Sequence, residues 1–226
     1  MAAYVDLPSL KQALKIGDTD DDPRLGLLVL RASRLIDRWT GRDDDAFIGR
    51  AQTRVYDVAA PASPDRGALG YESWSVTLDL DPVMAVTAVA TDRDGDGTFE
   101  TVWLPTDYTL LPINAAQKGR PYQQLRSHDW TSLGGQWLPS GQARLQVQGT
   151  FGEADASDPT FQTPPGPIVE ATIATVSYLA KAPVDAPFGV IGNPEFGTQK
   201  VPPCPPVVTG ILRDGGYMAS QDFWFA

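Results

Sequence analysis

Hydrophobic positions near the N-terminus repeat every three or four residues and predict a long amphipathic helix over residues 23–40. Asp22 is the predicted N-cap, Pro23 suits the first helical position, and Gly41 suits the left-handed residue that ends a helix. A shorter helix is predicted upstream, with Asp6 as its cap. The apolar face of the long helix is formed by Leu25, Leu28, Ala32, Leu35 and Trp39.

Beyond residue 50 the pattern changes to alternating and clustered β-branched and aromatic residues, which are typical of strands. Turn-forming residues such as Asp81-Pro82 separate these runs. The sequence therefore predicts an antiparallel β domain over residues 51–163. Its predicted strands cover residues 53–58, 74–80, 84–91, 99–104, 108–111 and 144–151.

Helical spacing returns after a proline-rich stretch, and Pro167 suits the first turn of a second long helix that ends at Ala182-Pro183. The predicted fold class is α+β. A small helical scaffold, two long helices plus short ones, is formed by residues 1–50 and 164–182, and the β domain is inserted between them. Residues 183–226 are predicted to form an extended Pro/Gly-rich arm and tail, with a short helix near 207–212.

Charge and cysteine content narrow the classes of partner. The chain has 226 residues and a formal net charge of −10, which argues against general adhesion to nucleic acid. A negative wall is compatible with DNA that passes without binding. Cys204 is the single cysteine, so no intrachain disulfide is possible. No basic-then-apolar leader and no membrane-length apolar run stand out, so we expect a soluble intracellular protein.

Catalytic signatures are weak. His128 is the only histidine, which excludes a two-histidine metal site, and Cys204 has no adjacent base. Neither a dinucleotide-binding nor a Walker phosphate loop is found. We therefore expect no enzyme activity and no cofactor.

One acidic segment carries possible metal chemistry. Asp92, Asp94 and Asp96, followed by glycine, match positions 1, 3 and 5 of an EF-hand loop, where carboxylate oxygens converge on calcium. The twelfth position, which should be glutamate, is Trp103, whereas Glu100 stands at position 9. Two interpretations stay open: a weak calcium site, and a polar hairpin whose Asp and Gly residues supply turn conformations.

Two sequence segments resemble those of a known protein family. Residues 32–42 read Ala-Ser-Arg-Leu-Ile-Asp-Arg-Trp-Thr-Gly-Arg and follow an acidic stretch at 17–22. Residues 185–192 read Asp-Ala-Pro-Phe-Gly-Val-Ile-Gly. In this order they resemble segments of the head-to-tail connector proteins, also called adaptor or head-completion proteins, of long-tailed bacteriophages and gene transfer agents.

The resemblance implies a structural subunit of a twelvefold ring in the virion neck, made in the cytoplasm of the bacterial host. Its partners would be other copies of itself, the portal protein, and a downstream neck or tail-terminator protein. Double-stranded DNA would pass through the ring without sequence-specific binding, and no membrane would be involved.

For such a ring we predict contacts through the polar side of the first long helix, the arm and the aromatic C-terminus. Charge reversal at the helix arginines is expected to block assembly without unfolding the subunit, and the arm is expected to become ordered only in the ring. The predicted contact residues are Arg34, Arg38 and Arg42 on the helix, Asp185, Phe188, Val190, Ile191 and Phe196 on the arm, and Phe223, Trp224 and Phe225 at the C-terminus.

An alternative function is a β-rich, carbohydrate- or calcium-dependent binding module of a virion or cell surface. It depends on the acidic segment and on tryptophans that serve either as stacking platforms or as core of the β domain. These tryptophans are Trp74, Trp103, Trp130 and Trp137.

Overall fold

The computed structural model describes residues 2–59, 65–66, 72–73, 76–128, 139–181, 190–193, 197–200 and 204–218. The chain divides into two compact units, Met1–Phe47 with Pro164–Ala226, and Ile48–Thr163. We refer to them as the helical unit and the β unit. A mixed α+β chain with an antiparallel sheet is confirmed.

The helical unit contains helices α1 (Leu7–Leu14), α2 (Asp22–Thr40), α3 (Gly166–Lys181) and α4 (Pro206–Asp214). Strands β9 (Val190–Asn193) and β10 (Gly197–Lys200) pair with each other in antiparallel fashion. Helix α2 packs on α1 and α3, and α3 also packs on α4. The core between the first three helices is formed by Val5, Leu10, Leu25, Val29, Ala32 and Val176.

Local capping signals place the helix ends. Asp6 caps α1 as predicted, because its Oδ1 accepts the Ser9 amide at 3.0 Å. The predicted cap of α2 is wrong by one residue, since Asp21 occupies the N-cap position and Asp22 is already helical. The Asp22 carboxylate instead forms an ion pair with Lys11 at 2.6 Å, joining α1 to α2.

The predicted arm beyond residue 183 is folded in part, and the short helix predicted near 207–212 is confirmed as α4. Strands β9 and β10 form a paired ladder in which Gly197 lies opposite Asn193. Helix α4 is part of the helical unit, because Val208 and Leu212, four residues apart, are fully buried. Beyond α4, the ring of Tyr217 meets that of Phe47 edge-on, with the centroids 5.3 Å apart.

The β unit contains one main sheet, formed by strands β1 (Arg50–Val58), β4 (Thr77–Thr91), β5 (Thr101–Val102), β6 (Tyr108–Leu111), β7 (Tyr122–Ser127) and β8 (Gly141–Phe151), and a separate short pair, β2 (Asp65–Arg66) with β3 (Glu72–Ser73). The order in the main sheet is β1-β8-β4-β7-β6, with β5 also paired to β4. All of these pairs are antiparallel. The core of the sheet includes Val83, Val89, Trp103, Leu125, Leu145, Val147 and Phe151.

Strand β4 corrects the predicted break at Asp81-Pro82, because it runs through both residues. Proline lacks a ladder donor, so it is tolerated only where pairing is interrupted. Pro82 lies within such an interruption, in the register shift of the β4–β7 ladder between Asp79 and Val83. At this point β4 begins to pair with β8.

The centre of the sheet requires a glycine. A Cβ added to Gly149 on β8 would lie 2.3 Å from the carbonyl oxygen of Ala85 on β4. No side chain fits at that distance, so Gly149 permits the close approach of two bulged strands.

Asp158 organises the loop that follows the sheet. Its Oδ1 accepts the amide and hydroxyl of Thr160 at 2.9 and 2.6 Å. Its Oδ2 accepts the amides of Gln162 and Thr163 at 3.0 and 2.9 Å and the Thr163 hydroxyl at 2.8 Å. The bonds from Thr160, and those from Thr163 and Gln162, hold the pKa of the Asp158 carboxyl far below its usual range.

This lowered pKa predicts an acid-sensitive contribution to stability. Because the folded pKa lies below that of the unfolded chain, the stabilisation is present above about pH 4 and is lost as the pH falls. Urea unfolding should show that Asp158→Asn is less stable than wild type at neutral pH, and that the difference shrinks near pH 2. A constant difference across that range would contradict the prediction.

Candidate assembly surface

Residues 32–42 form the second half of α2 and its C-terminal end. Ala32 and Ile36 are fully buried, and Trp39 is 8% exposed, so the apolar positions of the segment face the interior of the helical unit. Gly41 has a φ of 66°, and its amide donates to the carbonyl of Arg38 at 3.2 Å. The predicted glycine end of α2 is therefore confirmed.

Two polar residues of the same segment, Ser33 and Asp37, form hydrogen bonds with Tyr4 near the start of the chain. The hydroxyl of Ser33 accepts the Tyr4 amide at 3.1 Å and donates to the Val29 carbonyl at 2.9 Å. The Tyr4 hydroxyl in turn donates to Oδ1 of Asp37. Ser33 and Asp37 thus face inward although they are polar, and each has a defined hydrogen-bond partner.

Asp37 is the centre of a buried ionic network. It is 1% exposed, its Oδ2 lies 2.9 Å from Nη1 of Arg34, and it accepts the Asp45 amide at 3.1 Å. The Asp45 carboxylate accepts Nη2 of Arg34 and, at 2.8 Å, the amide of Ala2. We call Tyr4, Arg34, Asp37 and Asp45 the Asp37 network.

Burial dominates the electrostatics of this network. It raises the pKa of the Asp37 carboxyl, and the Tyr4 hydrogen bond, the Asp45 amide and the Arg34 charge offset only part of the effect. Burial, followed by the hydrogen bond to Asp37, also raises the pKa of Tyr4. The hydroxyl of Tyr4 therefore remains a donor over the whole physiological pH range.

The network corrects the interpretation of Arg34 as a free interface cation. Its side chain is 17% exposed, and its guanidinium pairs with Asp37 and Asp45 in the same chain. Charge reversal at Arg34 would leave two carboxylates facing a third negative group. We therefore expect charge reversal at Arg34 to destabilise the subunit itself.

The outer face of α2 carries a different set of cations. Arg24, Arg31 and Arg38 are exposed, and none has an ion pair within the part of the chain that the structure describes. Leu27, between the first two, is 70% exposed. We call these four residues the arginine stripe; of the predicted contact residues, it contains Arg38.

The structure describes the surroundings of few of the other predicted contact residues. Arg42 is exposed, and its backbone amide donates to the Asp37 carbonyl at 2.9 Å in the C-terminal cap of α2. Val190 and Ile191 lie on strand β9. The residues Asp185, Phe188, Phe196, Phe223, Trp224 and Phe225 lie outside the described part of the chain.

The acidic segment lies in the β unit between β4 and β5. Oxygens of Asp92, Asp94, Asp96 and Glu100 all lie within 4.8 Å of one another. The structure thus brings together the four residues that the sequence suggested as weak metal ligands. Their geometry does not by itself distinguish a metal site from a polar hairpin.

The bonds of Asp92 favour the hairpin interpretation. Its oxygens accept the amides of Gly95 at 2.6 Å and Gly97 at 2.9 Å, and Nη1 of Arg144 lies 3.4 Å from Oδ1. Although burial opposes ionisation, these amides and Arg144 together hold the pKa of Asp92 below its usual range. The most buried carboxylate of the cluster is therefore already engaged.

From this engagement we expect no tight calcium binding. A divalent ion would have to displace the glycine amides and lie close to the Arg144 guanidinium, while no bidentate glutamate completes the shell. Titration calorimetry should detect no site with a Kd below about 10 μM, the range of sensor EF-hands. Tighter binding that Asp94→Asn abolishes would contradict this expectation.

The other candidate groups have structural partners. The ring nitrogens of His128 lie 2.6 Å from the Thr109 hydroxyl and 2.6 Å from the Thr106 carbonyl oxygen. Cys204 is buried, which raises the pKa of its thiol, and the Thr209 hydroxyl lies 3.2 Å from its sulfur. A raised thiol pKa is the opposite of what a nucleophilic cysteine needs.

Trp103 occupies the core rather than a binding surface. It is 3% exposed, and its indole N–H donates to the Thr91 hydroxyl at 3.1 Å. It therefore offers no face on which a sugar ring can stack. Trp74, Trp130 and Trp137 lie outside the described residues.

The sheet also carries an open depression of about 310 Å³. Its lining contains no titratable side chain, so it offers neither a general acid nor a base. The lining residues are Ala51, Gln52, Thr53, Thr87, Gln148, Gly149 and Thr150.

Comparison with protein-family models gives no match, and comparison with curated proteins gives none. Within the described ranges, no helix combines the length and the apolar character needed to cross a membrane.

Proposed function

We propose that this chain is a structural subunit of a phage neck ring, an adaptor that joins the capsid portal to the tail or tail-completion proteins. The observation that carries the proposal is the segment 32–42, whose sequence resembles that of a segment in head-to-tail connectors. Copies of the chain would surround the channel through which double-stranded DNA passes. In this role the chain acts through its surfaces, not through bond chemistry.

The folded segment supports this interpretation because nearly every distinctive residue in it has a structural task. Ala32, Ile36 and Trp39 fill the core, Ser33 and Asp37 bind the first residues of the chain, and Gly41 ends the helix. A sequence segment of this kind specifies one helix, its end and its tertiary contacts. Similarity over it therefore argues for a similar helical scaffold.

The organisation of the chain is compatible with the proposed scaffold. Helices α2 and α3 pack together in one unit, whereas residues 48–163, which lie between them in sequence, form the other. We propose that the helical unit is the ring-forming scaffold and that the β unit is an insertion in it. Strands β9 and β10, with the residues around them, would supply the arm toward a neighbouring subunit or the portal.

The charge of the chain suits a DNA conduit. The formal net charge is −10, and nonspecific DNA binding needs clustered cations that release counterions from the phosphates. A predominantly negative protein repels the duplex and leaves it mobile.

The alternative, a carbohydrate- or calcium-dependent binding module, gains no support from the described residues. Trp103 is buried in the core, and the Asp92 carboxylate is held by two amides and Arg144. We therefore retain the neck-ring proposal alone.

Imaging tests the proposal directly. The purified chain, alone and mixed with the portal protein of the same phage, should be examined by light scattering after size exclusion and by negative-stain microscopy. Rings of the chain, or rings seated coaxially on the portal, are the expected result. A protein that stays monomeric alone and also fails to bind the portal would overturn the proposal.

A further inference from the structure

The arginine stripe is a row of unneutralised charge on an acidic protein. Arg24, Arg31 and Arg38 are spaced seven residues apart, which places neighbours about 10 Å from each other along one face of α2. Lys11 and Arg34 of the same unit form ion pairs, whereas in the described ranges these three arginines do not. Leu27, 70% exposed, adds an apolar contact point within the row.

The opposite charge occurs immediately before α2. Asp18, Asp20 and Asp21 are exposed, and none has an ion pair with any residue that the structure describes. The next residue, Asp22, is neutralised by Lys11. We call Asp18, Asp20 and Asp21 the acidic turn.

Within its own chain the acidic turn lies near Arg24 alone, three residues from Asp21, and cannot neutralise the other two arginines of the stripe. Arg31 and Arg38 lie about 13 and 24 Å along the helix axis from Asp22, far beyond ion-pair distance. A partner from elsewhere is required. The acidic turn fits in size, since the Cα atoms of Asp18 and Asp21 are at most about 11 Å apart, close to the separation of neighbouring arginines.

We propose that the acidic turn of one copy of this chain binds the arginine stripe of the next copy. The inference rests on the proposed ring and assigns the residues of its subunit contact. Because the two surfaces differ, the contact is head-to-tail, and repetition of a head-to-tail contact closes a ring when the rotation permits. The exposed charges also make the contact sensitive to ionic strength.

Charge-swap variants test the contact. The stripe variant carries R24E and R31E, and the turn variant carries D18K and D20K; Asp21 stays unchanged because it is the N-cap of α2. Each variant alone would present like charges at every contact and should associate at least about tenfold more weakly than wild type. Mass photometry and sedimentation measure this association.

Mixing the two variants provides the decisive measurement. In a ring in which the two variants alternate, the unchanged acidic turn of the stripe variant meets the unchanged arginine stripe of the turn variant. The lysine-bearing turn likewise meets the glutamate-bearing stripe. An equimolar mixture should therefore restore assembly, and a single chain carrying all four substitutions should also assemble.

A matched control separates this contact from a general effect of charge. The variant K118E/R120E changes the net charge as much as the stripe variant does, but its exposed residues lie in the β unit. It should assemble like wild type. Circular dichroism confirms folding, and if the stripe variant is unfolded, the neutral variant R24Q/R31Q replaces it and should assemble more weakly than wild type.

Three outcomes would overturn the inference: swap variants that assemble like wild type, a mixture that does not recover, or a wild-type chain that stays monomeric at about 1 mM. Binding of the monomer to the portal in the last case would leave the neck-ring proposal standing. If both swap variants form rings like wild type, the neck-ring proposal also stands and only the proposed contact is rejected.

Discussion

Asp37→Ala is expected to lower the free energy of unfolding by about 3–5 kcal/mol, as removal of one partner from a buried ion pair does. The change leaves the Tyr4 hydroxyl and the Asp45 amide without their acceptor, and it removes one of the two buried carboxylates that pair with the Arg34 guanidinium. Urea unfolding followed by circular dichroism measures the effect. Because Tyr4 belongs to the network, protection of residues 2–5 from hydrogen exchange should fall with it.

Asp44 provides the matched control. Its carboxylate lies 3.5 Å from Nη1 of the same arginine but is 69% exposed, so Asp44→Ala should change stability by less than about 1 kcal/mol. Equal effects of the two substitutions would show that burial does not determine the strength of the Asp37 network.

Trp103→Ala is expected to lower the free energy of unfolding by about 3–5 kcal/mol, because it opens a large cavity in the core of the β unit. The ring packs beside that of Tyr108, with the centroids 6.4 Å apart, and its N–H is bonded to Thr91. Denaturant unfolding measures the loss.

The adjacent Leu104 is the control, since it is 63% exposed and Leu104→Ala should remain within about 0.5 kcal/mol of wild type. If Trp103→Ala were as mild as the control, the core assignment would be wrong. Trp103 would then be available again as a stacking platform.

Features coded by neighbouring residues could be predicted from the sequence. The end of α2 at Gly41 and the cap of α1 at Asp6 are local, because each needs only residues within one turn. The change from helical to strand spacing likewise marks where the β unit begins. Such signals do not depend on how distant segments meet.

Features set by distant contacts could not be predicted in the same way. Strand β7 escaped prediction because its sequence is mostly polar, and only Leu125 and Ser127 point to a buried face. Asp37 is an acidic residue on a helix and would by itself be expected at the surface, yet Tyr4, far away in sequence, covers it. For α4 the sequence predicts a short helix near 207–212, but not that Val208 and Leu212 are buried in the helical unit.

The candidate surface shows the same division. Helical periodicity alone locates Arg38 on an outer face, and it also groups Arg24 and Arg31 with it. What periodicity cannot show is that the loop containing Asp45 returns to Arg34 and removes that arginine from the surface. The assignment of free charges therefore needed the tertiary structure.

The pairing of α2 with α3 sets an order of events during synthesis. The two helices are separated by residues 41–165, so at about 5–20 residues per second the ribosome needs roughly 6–25 s to deliver the partner of α2. During that interval every strand of the main sheet emerges and can pair, whereas the part of α2 that packs on α3 stays uncovered. Chaperones that recognise exposed apolar helices are therefore expected to bind the nascent chain at α2 and to leave when α3 appears.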